Sequence, residues 1–443
     1  MTAGWLDLPP GGRYRLANAT VPASAVRGAL LPDAGPDGLV RLDIDIAAGK
    51  IADIGPAGMA EGPPPVDLDR AMVLPAFVDA HTHLDKAFSA ARAPNPDGSF
   101  AGALATNTAD HHRWRSDEQR ARAEFALRCA EAHGTRALRS FVDTSPGIME
   151  MSWPNLAALR DDWAGRVTVQ LAAIAPAEDL VGPEGRRIAR LVADHGGILG
   201  SVAMRFAGDT DAVVDRIFAL AADFDLDLDF HADETLDPAS SELAAIARAT
   251  QRHYYEGRVT CGHCCALALQ DEAVQAETIA AVAEAGIHVM TLPPTNVYLQ
   301  DRQPGRTPRY RGLTLIHEMK AAGITLGTGT DNSHDPFYIF GDLDMLAVLT
   351  DAVRLGHLDH PTGDWVGLAG RGPAEAMGLS WLGLIAPGLP ADLVVCRARN
   401  FPELFARPQA DRVVLRDGRR LDVAYPDYRE LDGWFAAAED PAP

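Results

Sequence analysis

In LPAFVDAHTHLDKAF, residues 74–88, an apolar run leads into two histidines one residue apart, His81 and His83. Side chains alternate with period two along a strand, so both imidazoles leave the same side of the chain, the minimum geometry for gripping one metal ion from one strand end. An isolated HxH is more often a pair on a solvated loop, since two of fourteen histidines readily fall that close by chance. Three further polar residues end later apolar runs: His231 in DFHADET, His263 in VTCGHC and Asp331 in GTGTDN. Three imidazoles and a carboxylate form a nitrogen and oxygen set suited to one divalent zinc or iron ion, with room left for water. The expected ligands are His81, His83, His231 and Asp331. Such an ion lowers the pKa of a bound water from about 15.7 towards about 7, so hydroxide becomes available to attack an electrophilic carbon.

That leaves His263 as a group that hydrogen-bonds the hydroxide or the developing tetrahedral centre. Glu234, three residues beyond His231, is the best-placed proton shuttle to a leaving nitrogen, and Asp331 can also take a proton. The combination reads as metal-assisted hydrolysis of a C–N bond. Each residue has a plain alternative: singly, His231 and His263 are more often satisfied core or loop histidines, and Glu234 a solvated acid. GTGTD lacks the Lys-Ser/Thr ending of a phosphate-binding loop. CGHC at 261–264 matches a C-x-x-C metal or redox spacing, a weak signal with no second pair. Zinc deaminases of the nucleoside type use H-x-E with P-C-x-x-C; here the pair is H-x-x-E and Thr260 precedes Cys261, so Cys261 and Cys264 are read as packing residues.

The elements that must position these groups follow from the pattern between residues 73 and 384. Short apolar runs alternate with helical stretches: MVLPAFVDA, RALRSFVDT, RVTVQLAAIA, GGILGSVAMRF, FDLDLDFHADE, RVTCGHC, GIHVMTLPP and GITLGTGTD. A representative helix follows Ser116 as N-cap, carries Asp117 and Glu118 in its first turn and stops near His133-Gly134. Eight strand candidates in one βα array predict a (β/α)8 TIM barrel, a fold of about 250 residues or more whose chemistry sits at the C-terminal strand ends. All five metal-site and polarising residues fall there. One strand raises a conflict: the parity that aims His231 inward in FDLDLDFHADE also aims Asp227 and Asp229 inward. Buried carboxylates cost several kcal/mol unless paired, so Asp229 needs a partner inside the barrel or the strand needs a bulge.

Towards the N-terminus VRLDIDI alternates apolar and charged residues, then AAGK turns into IADI, the pattern of a β-hairpin. LVVCRA and RVVLRDGRRLDV repeat that character near the other end, with Asp417-Gly418 placed as a turn. Strands from both chain ends therefore predict a small β-sandwich domain, with residues 1–72 and 385–443 flanking a barrel at 73–384.

The 443 residues, 47% hydrophobic and 23% charged, describe a folded globular chain. A formal net charge of −21 without a Lys/Arg cluster argues against nucleic acid or an anionic membrane as partner. Five cysteines, an odd number in a long chain, read as reduced thiols. The first residues, MTAGWLDLPPGGRYRL, lack a basic segment followed by an apolar one, and no stretch approaches the length of a membrane span, so a cytoplasmic protein is expected. The sequence defines no oligomeric state, and a homo-oligomer is compatible with it.

With these residues in place the chain resembles the amidohydrolase superfamily, and within it the group of bacterial cytosine deaminase and the amidohydrolases that remove alkylamines from s-triazine rings, such as N-isopropylammelide. The likeness rests on PAFVDAHTHLDK, RSFVDTS, DFHADET, VTCGHCCALA, LPPTNVYLQDR, RYRGLTLIHEMKAAGITL and GTDNSHDPFYIFGDLDML, in family order. It implies a barrel with a β-sandwich, a single iron or zinc ion, and hydrolytic deamination of a small heterocycle such as an aminopyrimidine, purine or triazine. It also implies His81, His83, His231 and Asp331 as ligands, Glu234 as shuttle and His263 as hydroxide partner. GGILGSVAMRF has no lysine to be carboxylated between two metals, which favours one ion over the ring-opening amidohydrolases that need two. The substrate contacts implied are Lys86 in HLDK, Ala177 where cytosine deaminases carry a ring-reading glutamine, Asn332 in place of a second aspartate, and Phe337. Loss of the glutamine's bidentate amide removes the contact that best rejects wrong rings, so cytosine itself is not the expected substrate. The competing readings are a cyclic-amide hydrolase and a metal-stabilised heterocycle-binding protein without catalysis; a proton shuttle at Glu234 has no use in the latter.

Overall fold

Each apolar run becomes a strand because a parallel strand covered on both faces must be apolar almost throughout. The strands are β1 (Phe77–Thr82), β2 (Thr135–Asp143), β3 (Thr168–Pro176), β4 (Leu199–Ala203), β5 (Leu228–Ala232), β6 (Val259–His263), β7 (His288–Thr291) and β8 (Leu326–Thr328). The computed structural model describes residues 4–436 apart from 205 and 207. In it the eight strands lie in sequential order in one sheet, and every residue of β1, β5 and β6 is buried. The first and last strands meet through the Asp331 N–H, which donates to the His81 carbonyl at 2.8 Å, and through the Thr82 hydroxyl, which donates to the Asp331 carbonyl at 3.0 Å. Helices Ser116–His133, Met149–Asp162, Gly185–Asp194, Thr210–Asp223, Glu242–Arg252, Glu272–Glu284 and Ile316–Ala321 follow the first seven strands in turn. The expected (β/α)8 barrel is the observed one. Ser116 is the first helical residue rather than the cap, a one-residue difference of the kind helix ends commonly show.

Strands from both chain ends join a second sheet of eight. Met72–Pro75 pairs antiparallel with Leu393–Cys396, which ties the two ends together. The hairpin expected from VRLDIDI and IADI forms between Leu39–Ala47 and Lys50–Pro56, turned by Ala48 and Gly49 at positive φ. Leu16, Leu42, Ile44, Val395 and Leu415 lie in its core. Among the described residues this sheet belongs to a compact unit of residues 4–78, Cys129–Arg136 and Asp344–Tyr425, while a second unit takes Asp79–Arg128, Ala137–Leu343 and residues 426–436. No described helix is long and apolar enough to cross a membrane.

The carboxylate conflict on β5 is resolved by a partner. Asp229 Oδ2 accepts from Arg139 Nη1 at 2.5 Å, and Arg139 also donates to Thr260 Oγ1 at 3.3 Å and Gln170 Oε1 at 3.2 Å. Asp227 precedes β5 and pairs instead with Arg258 at 3.1 Å. Replacing Arg139 with Met strands the Asp229 charge inside the barrel, and the expected loss is about 3–5 kcal/mol of unfolding free energy. Adding Asp229→Leu to that variant should recover a large part of it, and denaturant titration measures both.

Candidate active site

At the C-terminal strand ends, His81 on β1, His83 just beyond it, His231 on β5 and Asp331 after β8 converge, with one ligand atom from each within 4.8 Å of the others. The Nε2 atoms of His81 and His231 are 3.1 Å apart, and those of His231 and His83 are 3.3 Å apart. Asp331 Oδ1 lies 3.5 Å from His81 Nε2 and 3.2 Å from His83 Nε2. Burial pushes the pKa of all three imidazoles below the usual histidine range, and for His231 the neighbouring imidazoles add to the effect. They are therefore neutral, with lone pairs aimed at one point. Burial pushes the Asp331 carboxyl up, but the imidazoles outweigh it and hold its pKa well below the ordinary value. Neither Asp331 oxygen accepts a hydrogen bond.

A metal ion fits these residues. Ligand bonds of about 2.0–2.1 Å place adjacent donor atoms about 3.0–3.4 Å apart in octahedral to tetrahedral arrangements, which three of the four separations match and the fourth, 3.5 Å, slightly exceeds, and an orphaned buried carboxylate beside three neutral imidazoles needs a cation. The ring of Phe141 packs beneath all three histidines, with centroids 4.3 Å from His81, 5.5 Å from His83 and 4.4 Å from His231, and so restrains their rotation. Gly262 on β6 lacks a side chain for a reason: a Cβ there would sit 2.8 Å from His81 Cε1.

His263 and Asp331 both have positive φ, 69° and 57°. Strained backbone of this kind persists where the surroundings over-determine it, commonly at functional sites. His263 is neutral, its pKa pushed down to about 3 by burial. Its Nδ1 accepts from Asn296 Nδ2 at 2.9 Å, so the proton sits on Nε2, a buried donor with no partner. Glu234 Oε1 lies 3.5 Å from the same Nδ1. Burial, reinforced by Asp331, raises the Glu234 pKa well above the usual carboxylate range. Asn296 lies on a short helix after β7, α2 (Pro293–Leu299), whose C-cap Gln300 donates to the Glu234 carbonyl at 3.1 Å. Cys261 and Cys264 are buried free thiols, raised by burial well above the thiol range, as expected of packing residues.

These groups open on a cavity of about 470 Å³. Lys86, Ala177, Asn332 and Phe337 all line it. Lys86, buried rather than solvated, pairs with Asp143 at 2.9 Å, Ala177 offers only a methyl, and Asn332 Nδ2 donates to Asp335 Oδ2 at 2.8 Å. The preceding insertion between β1 and its barrel helix contains α1 (Phe100–Asp110), capped by Ser99, which accepts from Gly102 N–H at 2.9 Å. Phe100, Leu104, Asn107 and His111 face the cavity. Asn107, His111, Asp143 and Asn296 have no role in the sequence reading. The spacing 100, 104, 107, 111 is one helix face, and Asp143 ends an apolar run as the ligands do, so both signals were available in the chain.

A model of the amidohydrolase family matches residues 161–422. The chain is 44% identical over 439 residues to a pterin deaminase of Rhizobium rhizogenes, covering 98% of this chain and 99% of that one. It is 25% identical over 371 residues to N-isopropylammelide isopropyl amidohydrolase of Pseudomonas sp., covering 80% and 87%. Among solved structures, 5-methylcytosine deaminase from Klebsiella pneumoniae liganded with 5-fluorocytosine superposes with a TM-score of 0.77 at 22% identity, covering 93% of this chain and 98% of that one.

Two outcomes are expected from this geometry. His231→Ala should weaken metal binding by more than the about 10–100-fold typical of losing an outer partner of a ligand, read as metal per chain after dialysis against a weak chelator. Asn296→Asp, which favours the other His263 tautomer, should lower kcat about 10²–10³-fold if the His263 Nε2–H serves as an oxyanion donor, with metal content unchanged.

Proposed function

The chain belongs to the amidohydrolase family, and from that premise we propose that it is a metal-dependent hydrolytic deaminase of a small nitrogen heterocycle, with pterins as the first ring class to test. The observation that carries the proposal is the meeting in one cavity of His83, His231 and Asp331 with Glu234 and His263, His81 completing the ligand set. The likeness to a pterin deaminase over 98% of the chain supports the ring class. A cavity of about 470 Å³ also falls within the range of about 300–1,000 Å³ usual for small-molecule sites.

We infer one ion held by His81, His83, His231 and Asp331, because β4, LGSVA, has no lysine to be carboxylated as a bridge between two. Zinc and iron both accept this nitrogen and oxygen set. When bound, the ion supplies Lewis acidity and lowers the pKa of a coordinated water towards about 7.

The side chains divide the remaining work. Hydrolytic deamination puts the oxygen of water on the amine-bearing ring carbon and releases the exocyclic nitrogen as ammonia, so one proton must leave the water and protons must reach nitrogen. Asp331, ionised at the cavity wall, accepts the proton from water. Glu234, neutral through burial, holds a proton it can give to the ring or leaving nitrogen, and its carboxylate form can take one back. His263 points its Nε2–H at the oxygen on the tetrahedral carbon, a donor already oriented by Asn296. The apolar side chains Phe100, Ile174, Val202 and Phe337 exclude water from the ring faces.

Glu234→Gln tests this division. Turnover should fall about 10²–10⁴-fold, the usual worth of a general acid–base group, while metal content stays that of the parent; unchanged ammonia release would remove Glu234 from the shuttle role.

A further inference from the structure

Lys86 and Asp143 share the cavity wall with Glu234 and His263, and the chemistry above gives them no task. The Lys86 ammonium has three N–H donors but a side chain only 4% exposed, and its hydrogen bond goes to Asp143 Oδ1 at 2.9 Å. Phe337, with its ring centre 5.5 Å from Nζ, offers a π face and no acceptor lone pair. A buried cation with free donors calls for a further acceptor. Asp143 is fixed from the other side: Oδ2 accepts from Asn107 Nδ2 at 2.9 Å and contacts His111 Nε2 at 3.0 Å. Its Oδ1 keeps a lone pair beyond the one used by Lys86. The wall therefore presents one donor and one acceptor side by side. The position expected to read the ring through an amide is Ala177, which can do neither.

We propose that Lys86 and Asp143 together read the lactam edge of the substrate, Lys86 donating to the ring carbonyl oxygen and Asp143 accepting from the adjacent ring N–H. The pair replaces the missing amide and selects 2-amino-4-oxo rings over rings that carry an amine in place of the carbonyl. This rests on the deaminase reading above. A ring with an amine at that place offers Lys86 a donor against a donor and leaves a buried ammonium unpaired, which is the kind of mismatch that discriminates strongly.

The test compares pterin with 2,4-diaminopteridine on parent enzyme, Lys86→Met, Asp143→Asn and the double variant Lys86→Met/Asp143→Leu, all with metal content matched. The double variant removes both buried charges together and keeps the comparison available where a single variant does not fold. The parent should prefer pterin by about 10²-fold or more in kcat/KM for ammonia release, and the ratio should fall at least about tenfold in the variants. A parent that deaminates both rings equally, or variants that keep the parent's ratio, overturns the proposal while the deaminase reading stands. If no ring releases ammonia the deaminase reading fails, and fluorescence titration with pterin decides the recognition: binding weakened at least about tenfold in the double variant supports it, whereas equal or absent binding to the parent overturns it.

Discussion

The closure of the barrel and the assembly of the proposed metal ligands are one event. The hydrogen bond that joins the last strand to the first runs from the N–H of Asp331 to the carbonyl of His81, so the backbone of one ligand holds the backbone of another. Asp79 reinforces the seam from below: it is buried, and it accepts from the N–H of His81 and from both the N–H and the hydroxyl of Thr330. A barrel that failed to close would separate His81 and His83 from Asp331. Conversely, an ion bound to residues on β1, on β5 and after β8 ties together strands distant in sequence, so its binding free energy adds to the stability of the fold.

That coupling explains why so much of the site was legible in the chain. The ligands stand at strand ends because the fold puts chemistry there, and a strand announces itself by apolar composition and its C-terminal edge by the first polar side chains after it. His81 and His83 needed only the period of two. What the chain could not disclose were partners set by closure rather than by neighbourhood. Arg139 lies on β2 and Asp229 on β5, and nothing local in RALRSFVDT says that Arg139 rather than Arg136 points into the barrel. Asn296 orients His263 from the short helix after β7. Lys86 is singled out as a substrate contact by the resemblance alone; its partner Asp143, at the end of β2, is brought against it only by the fold.

The electrostatics of the site follow from its dryness. Burial, reinforced at His231 by the neighbouring imidazoles and at Glu234 by Asp331, holds the histidines neutral and keeps a proton on Glu234, while Asp331 stays ionised against its own burial through its contacts with His81 and His83. One buried environment thus prepares lone pairs for a cation, a carboxylate that can take a proton and a carboxyl that can give one. Two carboxyl groups in different protonation states near one another are the signature of paired acid and base work. The same dryness penalises any charge left without a partner, which is why Lys86 and Asp143 occur as a pair and why Asn107 and His111 are both directed at the same carboxylate oxygen.

Chemistry and recognition therefore reside on different parts of the fold. The ligands, Glu234 and His263 belong to strand ends or the residues just after them, where the sheet fixes them and little can vary without opening the barrel. The wall proposed to read the ring is half strand end and half insertion: Asp143 ends β2, whereas Asn107 and His111 come from α1 and the turn after it. The insertion is not loosely attached. Arg92 bonds Asp110 at the end of α1 at 2.6 Å and also bonds Glu118 of the following barrel helix at 2.6 Å, with all three side chains buried. A clamp of that kind holds the face of α1 against Asp143, with Leu104 on that face half exposed at the mouth of the cavity. Changes in α1 can thus alter which ring is accepted without disturbing the hydrogen bonds that close the barrel, the division of labour expected when loops carry specificity on a rigid scaffold.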